Sequence, residues 1–213
     1  MSDDFVDRIR ENYNRLASEY TSHIYGELHN KPIDCELLRR FAKQTQGKVE
    51  VCDMACGPGH IARFLRDNGA TVSGLDLSPR MVEQARKQSP DITFREGNML
   101  ALDIPDACLA GITAMYAYVN IPKESLPQIF SEMFRVLQSN GILLTAFHIG
   151  NGQVDVPELW GEKVTMPFFF LDPGHIRLML EQAGFVIDDI VQRGPYPDIE
   201  FQSQRAYVFA RKP

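Results

Sequence analysis

The feature that most constrains this chain is a regular alternation. From Gly47 onward, short β-rich runs take turns with segments of helical period, the mark of a parallel sheet whose strands are joined by crossover helices. The first run, Lys48 to Asp53, passes through a Gly-containing bend into a helix with Ile61, Phe64 and Leu65 on one face. The second, Thr71 to Asp76, leads through Ser78-Pro79, a side-chain cap followed by Pro in the first turn, into Met81, Val82 and Ala85. Ile92 to Phe94 is a short third strand and Ala110 to Tyr116 a fourth. Phe130, Met133, Phe134 and Leu137 then recur at helical spacing until Asn140-Gly141 stops the helix, and Ile142 to Phe147 is the fifth strand. After a long loop, Ile176, Met179, Leu180 and Ala183 mark a last helix, with Phe185 to Ile187 and Arg205 to Ala210 as closing strands. Two helical stretches ahead of the first strand, about Asp4 to Tyr20 and Asp34 to Gln44, are expected to cover the carboxyl edge of the sheet.

A chain of 213 residues, 44% of them hydrophobic, can bury the core of one α/β domain. Three stretches are expected within it: a helical cap over 1–46, the main sheet unit over 47–147, and a loop, helix and strands over 148–213. Acidic residues outnumber basic ones, 28 to 22, and the net charge of −6 disfavours nucleic acid as a partner. The opening Met1-Ser2-Asp3-Asp4 lacks the basic stretch and apolar run of a secretory signal, and no apolar segment approaches the roughly 18 residues of a membrane span. The expectation is a cytoplasmic protein, monomeric or homodimeric. Cys35, Cys52, Cys56 and Cys108 are too few for a disulfide framework. Cys52, Cys56 and His60 have metal-like spacing, but Cys52 should point into the sheet core while Cys56 lies in the loop, so no metal is expected.

In an open parallel sheet, ligands lie beyond the carboxyl ends of the strands where the order changes direction. The first such loop reads Asp53-Met54-Ala55-Cys56-Gly57-Pro58-Gly59-His60. A dinucleotide fingerprint would need glycine where Ala55 and His60 stand, and Asp53 would repel a pyrophosphate at the following helix. A nicotinamide-dependent oxidoreductase is therefore disfavoured. A ligand with an ammonium group would instead gain a charge-assisted hydrogen bond from Asp53. Asp76 ends the second strand, where an acid accepts hydrogen bonds from ribose hydroxyls. Each acid also has a plain structural reading, Asp53 as a helix cap and Asp76 as an Asx-type turn before Ser78-Pro79. Nucleoside plus ammonium, without phosphate, is the composition of S-adenosyl-L-methionine.

The ordered set Asp53-x-Ala55-Cys56-Gly57-Pro58-Gly59, Gly74-Leu75-Asp76-Leu77-Ser78-Pro79-Arg80-Met81 and Glu96-Gly97-Asn98-Met99 resembles the class I S-adenosylmethionine-dependent methyltransferases of small-molecule type. The resemblance runs from about Tyr13 to the carboxyl end. It implies a Rossmann-like doubly wound sheet, mostly parallel with an antiparallel C-terminal strand, helices on both faces and an N-terminal helical lid. It makes 47–147 the cofactor-binding core and 148–213 the substrate side. Carried over residue by residue, Asp53, Ala55, Cys56, Gly57, Gly59 and His60 would hold the methionine part. Asp76, Leu77 and Met81 would hold the ribose, Gly97, Asn98 and Met99 the adenine, with Met115 nearby. Tyr13 and Tyr20 of the lid would reach the cofactor carboxylate. Ala55 replaces a commoner glycine.

The same resemblance puts the methyl acceptor near Tyr116, Tyr118 and Asn120 after the fourth strand and His148 at the end of the fifth. His148, with an ordinary pKa of about 6.5, is the first candidate base, and Tyr116 can hold a cationic group by cation–π attraction. Trp160, Phe168, Phe169 and Phe170 form either a lid on an apolar substrate or a plug of core, and Arg193, Tyr196, Glu200 and Arg205 either read polar substrate groups or form solvated surface. The implied activity is in-line methyl transfer to a small, partly apolar or aromatic molecule, with S-adenosyl-L-homocysteine as product. A protein or RNA acceptor, and a non-catalytic cofactor-binding module, remain as alternatives.

Overall fold

The computed structural model describes residues 3–213. Its centre is a seven-stranded sheet in the order β3-β2-β1-β4-β5-β9-β8, built from β1 (Val51–Met54), β2 (Val72–Asp76), β3 (Thr93–Glu96), β4 (Leu109–Met115), β5 (Leu137–His148), β8 (Val186–Arg193) and β9 (Arg205–Arg211). Strands β1 to β5 pair in parallel; β9 runs antiparallel to both neighbours. The alternation in the sequence translates into this topology: α3 (His60–Asp67) joins β1 to β2, α4 (Pro79–Gln88) joins β2 to β3, α5 (Leu126–Val136) joins β4 to β5 and α6 (Pro173–Gln182) precedes β8, while β3 reaches β4 through a segment without a helix. The order switches between β1 and β4, so the loops after these two strands diverge and open a crevice at the carboxyl edge.

Helices cover both faces. Leu37, Leu38 and Phe41 of α2 (Pro32–Thr45), with Ile61 and Leu65 of α3 and Val82 of α4, pack on one face around Val51, Phe94, Leu144 and Phe209. Leu126, Phe130 and Met133 of α5, with Ile176 and Leu180 of α6, pack on the other around Met54, Ile112, Leu143 and Val208. Cys52 belongs to this second face, and Cys56, in the loop beyond the end of β1, belongs to the first, which separates the thiols. Ser78 caps α4 as expected, its hydroxyl accepting from the Met81 N–H at 3.1 Å.

Three expectations are corrected. The helix before β5 ends at Val136, not at Asn140-Gly141; the strand begins at Leu137, and Asn140, with φ +61°, lies in the irregularity where pairing with β4 shifts register. The long loop after β5 is a two-stranded antiparallel hairpin, β6 (Gln153–Leu159) and β7 (Glu162–Phe169), turning at Trp160-Gly161 with φ +51° and +85°. Of the two amino-terminal helices expected over the carboxyl edge, α2 packs instead on a face of the sheet, whereas α1 (Asp3–Ile24) lies over that edge. Its Leu16 packs with Val164 and Met166 of β7. The Asn12 carboxamide accepts from the Thr165 N–H at 3.1 Å, and the Tyr13 hydroxyl donates to Asn120, whose amide in turn reaches the Pro167 carbonyl at 2.8 Å. Helix and hairpin thus form one roof over the carboxyl edge.

Phe94 of β3 lies against the backbones of Gly59 and Gly74, where a Cβ on Gly74 would come within 2.5 Å of its ring and 3.0 Å of the Cys56 sulfur. Gly74→Ala is expected to destabilise the protein by about 1–3 kcal/mol, seen as a fall of several degrees in Tm, whereas Gly26→Ala, whose Cβ would meet nothing closer than 3.8 Å, should leave Tm nearly unchanged. Asn120→Ala should loosen the roof and raise amide exchange in α1 while leaving β1 and β4 protected.

Candidate active site

Beneath the roof lies a cavity of about 760 Å³, the size of a site for a drug-sized ligand or larger. Its floor is the edge of β1, β2, β4 and β5. Asp53, at the end of β1, is 1% exposed; its Oδ1 accepts from the Thr113 hydroxyl at 2.8 Å, and its Oδ2 has no hydrogen-bond partner among the described residues. Burial raises this carboxyl to about 7, against the opposing pull of the Thr113 hydroxyl, of His60 and of the Ala62 N–H. Gly59 is the N-cap of helix α3, and the Ala62 N–H in the first turn of that helix also favours the Asp53 carboxylate, so the capping role coexists with the ligand-binding one.

His60 Nε2 lies 3.2 Å from the Glu27 carboxylate, and its Nδ1 also lacks a partner among the described residues. The role of Nδ1 follows the protonation of the ring, an acceptor when neutral and a donor when charged. The unpartnered Asp53 oxygen on this cavity wall suits an ammonium group.

Asp76 ends β2 with both oxygens engaged: Oδ2 accepts from the Gly57 N–H and Oδ1 from the Ser78 N–H, each at 2.8 Å. The Asx-type turn is therefore present, and the same carboxylate also ties down the loop after β1. Each oxygen retains a second lone pair, and Asp76 lines the cavity, so the structural and ligand-binding readings coexist. Burial raises this carboxyl to about 6 against its backbone hydrogen bonds. Ala55 adopts φ +55°, which explains why glycine is the commoner residue there: a Cβ in the left-handed region costs roughly 1–2 kcal/mol.

The cavity brings together most residues singled out from the sequence. Tyr13, Tyr20, Ala55, Cys56, Gly57, Leu77 and Met81 line it beside the two acids and His60, as do Gly97, Asn98, Met99 and Met115. Tyr116, Asn120, His148, Trp160 and Phe169 line it on the far side. Three do not. Gly59 is turned toward Phe94 and Ala85 and serves the packing of helix on sheet. Tyr118 is fully buried in the core, its ring edge-on to Phe130 at 5.4 Å, because the bend after β4 turns it under the sheet. Arg193 stands behind the cavity wall in an ion-pair network.

That network was not foreseen. Lys31, just before α2, pairs with Glu27 at 2.6 Å and Glu200 at 3.3 Å; Arg193 pairs with Asp34 at 2.8 Å and with Glu200; Arg205 lies 3.3 Å from Glu200. Glu200 and Arg205 are thus buried and not solvated surface. The Tyr207 hydroxyl donates to Asp34 at 2.7 Å and lies 3.1 Å from the Tyr116 hydroxyl. Tyr116 itself takes φ +56°, a strained backbone of a kind that clusters at functional sites.

His148 lies against Tyr116, 5.0 Å between ring centres, with Phe201 at 5.8 Å and Phe170 at 6.3 Å. Its Nδ1 is 2.7 Å from the Ser203 hydroxyl, leaving Nε2 as the free ring nitrogen. Burial, then the charge of Arg205, lowers its pKa to about 4. The ring is neutral at pH 7 and a weaker base than its ordinary value suggests. Trp160, at the hairpin turn, stacks on His23 at 4.9 Å and stands edge-on to Tyr20 at 5.5 Å, closing the roof.

Comparison with known proteins agrees with this geometry. Residues 51–141, from β1 into β5, match the family model described as a methyltransferase domain. Among relatives, a malonyl-[acyl-carrier protein] O-methyltransferase of Enterobacter lignolyticus is 28% identical over 148 residues, 70% of this chain and 56% of that protein. A demethylmenaquinone methyltransferase of Chlorobaculum parvum is 35% identical over 106 residues, 48% of this chain and 43% of that protein. The chain thus spans about half the length of these relatives. Among solved structures, magnesium protoporphyrin IX methyltransferase from Synechocystis PCC 6803, described with bound S-adenosylmethionine, shares the fold over 100% of this chain and 99% of its own, with a TM-score of 0.75 and 18% identity. Over residues 51–141 the chain is thus similar to a methyltransferase domain, and it shares the fold of a methyltransferase described with bound S-adenosylmethionine.

Affinity for S-adenosylmethionine should depend on pH through Asp53. The cofactor's ammonium selects the ionised carboxylate, so binding is lost as pH falls through about 7, and it weakens again above the ordinary α-amino pKa of about 8. Calorimetric titration between pH 6 and 8.5 should show this maximum. Asp53→Asn should weaken binding roughly tenfold or more and remove the acid limb; a wild-type affinity flat from pH 6 to 7.5 would contradict the assignment.

Proposed function

We propose that this protein transfers a methyl group from S-adenosylmethionine to a small organic acceptor with an apolar or aromatic body. The observation that carries the reading is a single cavity with two chemically distinct ends. One end offers Asp53 and Asp76 at the carboxyl ends of β1 and β2; the other is walled by Tyr116, His148, Phe170 and Phe201. The relatives' names refer to malonyl-[acyl-carrier protein], an acyl group on a carrier protein, and to demethylmenaquinone; the second is consistent with a small acceptor. The roof of α1 and hairpin encloses the cavity, which favours a small molecule over a folded protein or RNA.

The bound cofactor supplies an electrophilic methyl group that an acceptor lone pair takes in line, the carbon–sulfur electron pair leaving with the sulfur as S-adenosylhomocysteine. The chain's own contribution is alignment, worth roughly 7–11 kcal/mol in favourable cases. Asp53 and His60 fix the ammonium, Asp76 the ribose, and Met115 and Tyr116, at the end of β4, stand where the two ends of the cavity meet. Tyr116 and His148 touch the acceptor. With its pKa near 4, His148 serves as a neutral hydrogen-bonding group on the acceptor and not as the principal base. Phe169 and Trp160 exclude water from above.

An acceptor screen read out by S-adenosylhomocysteine formation tests this, with turnover of at least one apolar small molecule expected. His148→Phe should lower kcat at saturating cofactor by about tenfold or more without changing cofactor affinity, and kcat in the native protein should show no inflection near pH 6.5. Cofactor binding without turnover of any acceptor would leave the chain a binding module.

A further inference from the structure

The buried ion-pair network on the acceptor side is neutral in charge, with Lys31, Arg193 and Arg205 against Glu27, Asp34 and Glu200, but its hydrogen bonding is unbalanced. Every carboxylate oxygen is engaged. Glu27 is held by His60 and Lys31, Asp34 by Tyr207 and Arg193, and Glu200 by Arg193, Lys31, Arg205 and the Tyr196 N–H. The cations are not exhausted. Lys31 has three N–H groups and uses two; Arg205 donates from Nη1 to the Ser203 carbonyl and from Nη2 to the Phe201 carbonyl, while its Nε, buried, has no partner among the described residues.

Both cations line the cavity, and they flank the same ring, with Lys31 Nζ 5.9 Å and the Arg205 guanidinium 5.8 Å from the centre of Tyr116. The buried part of the acceptor end therefore displays spare donors and, among the described residues of the network, no free acidic oxygen; the unpaired carboxylate of Asp198 lies in the exposed mouth. An amine would find no unpaired carboxylate inside the network. Burying six charges is costly, and a network with donors left over is stabilised by a ligand that supplies the missing acceptors.

We propose that the methyl acceptor is an apolar carboxylic acid, its carboxylate held by Lys31 and Arg205 beside Tyr116 and its body lying among His148, Phe170 and Phe201. This rests on the reading of that end of the cavity as the acceptor site. The low basicity of His148 agrees with it, since a carboxylate arrives already ionised and gives the enzyme no proton to remove. At the mouth, Ile199 and Phe201 are exposed apolar residues on the loop that carries Glu200, so a longer apolar tail would leave the cavity over them.

The test is calorimetric titration of the full chain with octanoate, 1-octanol and octylamine, each with and without saturating S-adenosylhomocysteine. Octanoate should bind about tenfold or more tightly than the alcohol or the amine. Lys31→Met should erase most of that preference while leaving octanol affinity unchanged. Because Lys31→Met or Arg205→Gln can disturb folding, the comparison of the three probes on the unaltered protein stands by itself. Equal binding of the three, preference for the amine or alcohol, or no binding of any would overturn the proposal. If S-adenosylhomocysteine binds and octanoate is not preferred, the acceptor inference alone fails. If octanoate is preferred and S-adenosylhomocysteine does not bind, the cofactor reading fails and the anion site remains.

Discussion

The carboxylate of Asp76 joins two loops that would otherwise be independent. One oxygen accepts the Gly57 N–H of the loop after β1 and the other the Ser78 N–H that opens α4. A buried acid with two backbone donors sets the separation of neighbouring turns at the point where the sheet changes direction, and so sets the shape of the cofactor end of the cavity. Asp53, one strand over, is placed differently. One oxygen accepts from Thr113 and the other has no hydrogen-bond partner among the described residues, which costs stability and becomes a binding contribution when a cation arrives. One acid shapes the site and the other waits for its partner.

The acceptor end is built on another logic. Its charged groups come from three separated segments, Glu27 to Asp34 around the start of α2, Arg193 on β8, and Glu200 to Arg205 leading into β9. They meet only because β9 inserts between β5 and β8 and carries Tyr207 and Arg205 toward α2. The strained Tyr116 backbone lies where the two logics meet, with its hydroxyl tied through Tyr207 to Asp34 and its backbone at the end of β4 next to the cofactor loops.

The sheet, the crossover helices and the cofactor end were legible in the sequence because each rests on local signals: period-two and helical runs, Ser78-Pro79 at a helix start, acids closing strands. The hairpin was legible only in retrospect. Val154 and Val156 alternate on one side of Trp160-Gly161, and Val164, Met166 and Phe168 on the other, but Pro157 at the register shift hides the first strand. Tyr118 and Tyr116 differ by two residues and sequence spacing alone would give them one role; the bend after β4 sends one into the core and the other into the cavity. The ion-pair network gave no local signal at all, since Glu27 and Lys31 lie between the two expected amino-terminal helices and meet Glu200 only in the fold.

The most direct measurement of the central claim is a crystal structure with S-adenosylhomocysteine bound. The account predicts its amino nitrogen about 3 Å from Asp53 Oδ2 and its ribose hydroxyls on Asp76, with the sulfur facing Tyr116 and His148. The nucleoside lodged elsewhere, or the amino group turned away from Asp53 with that carboxyl still unpaired, would contradict it.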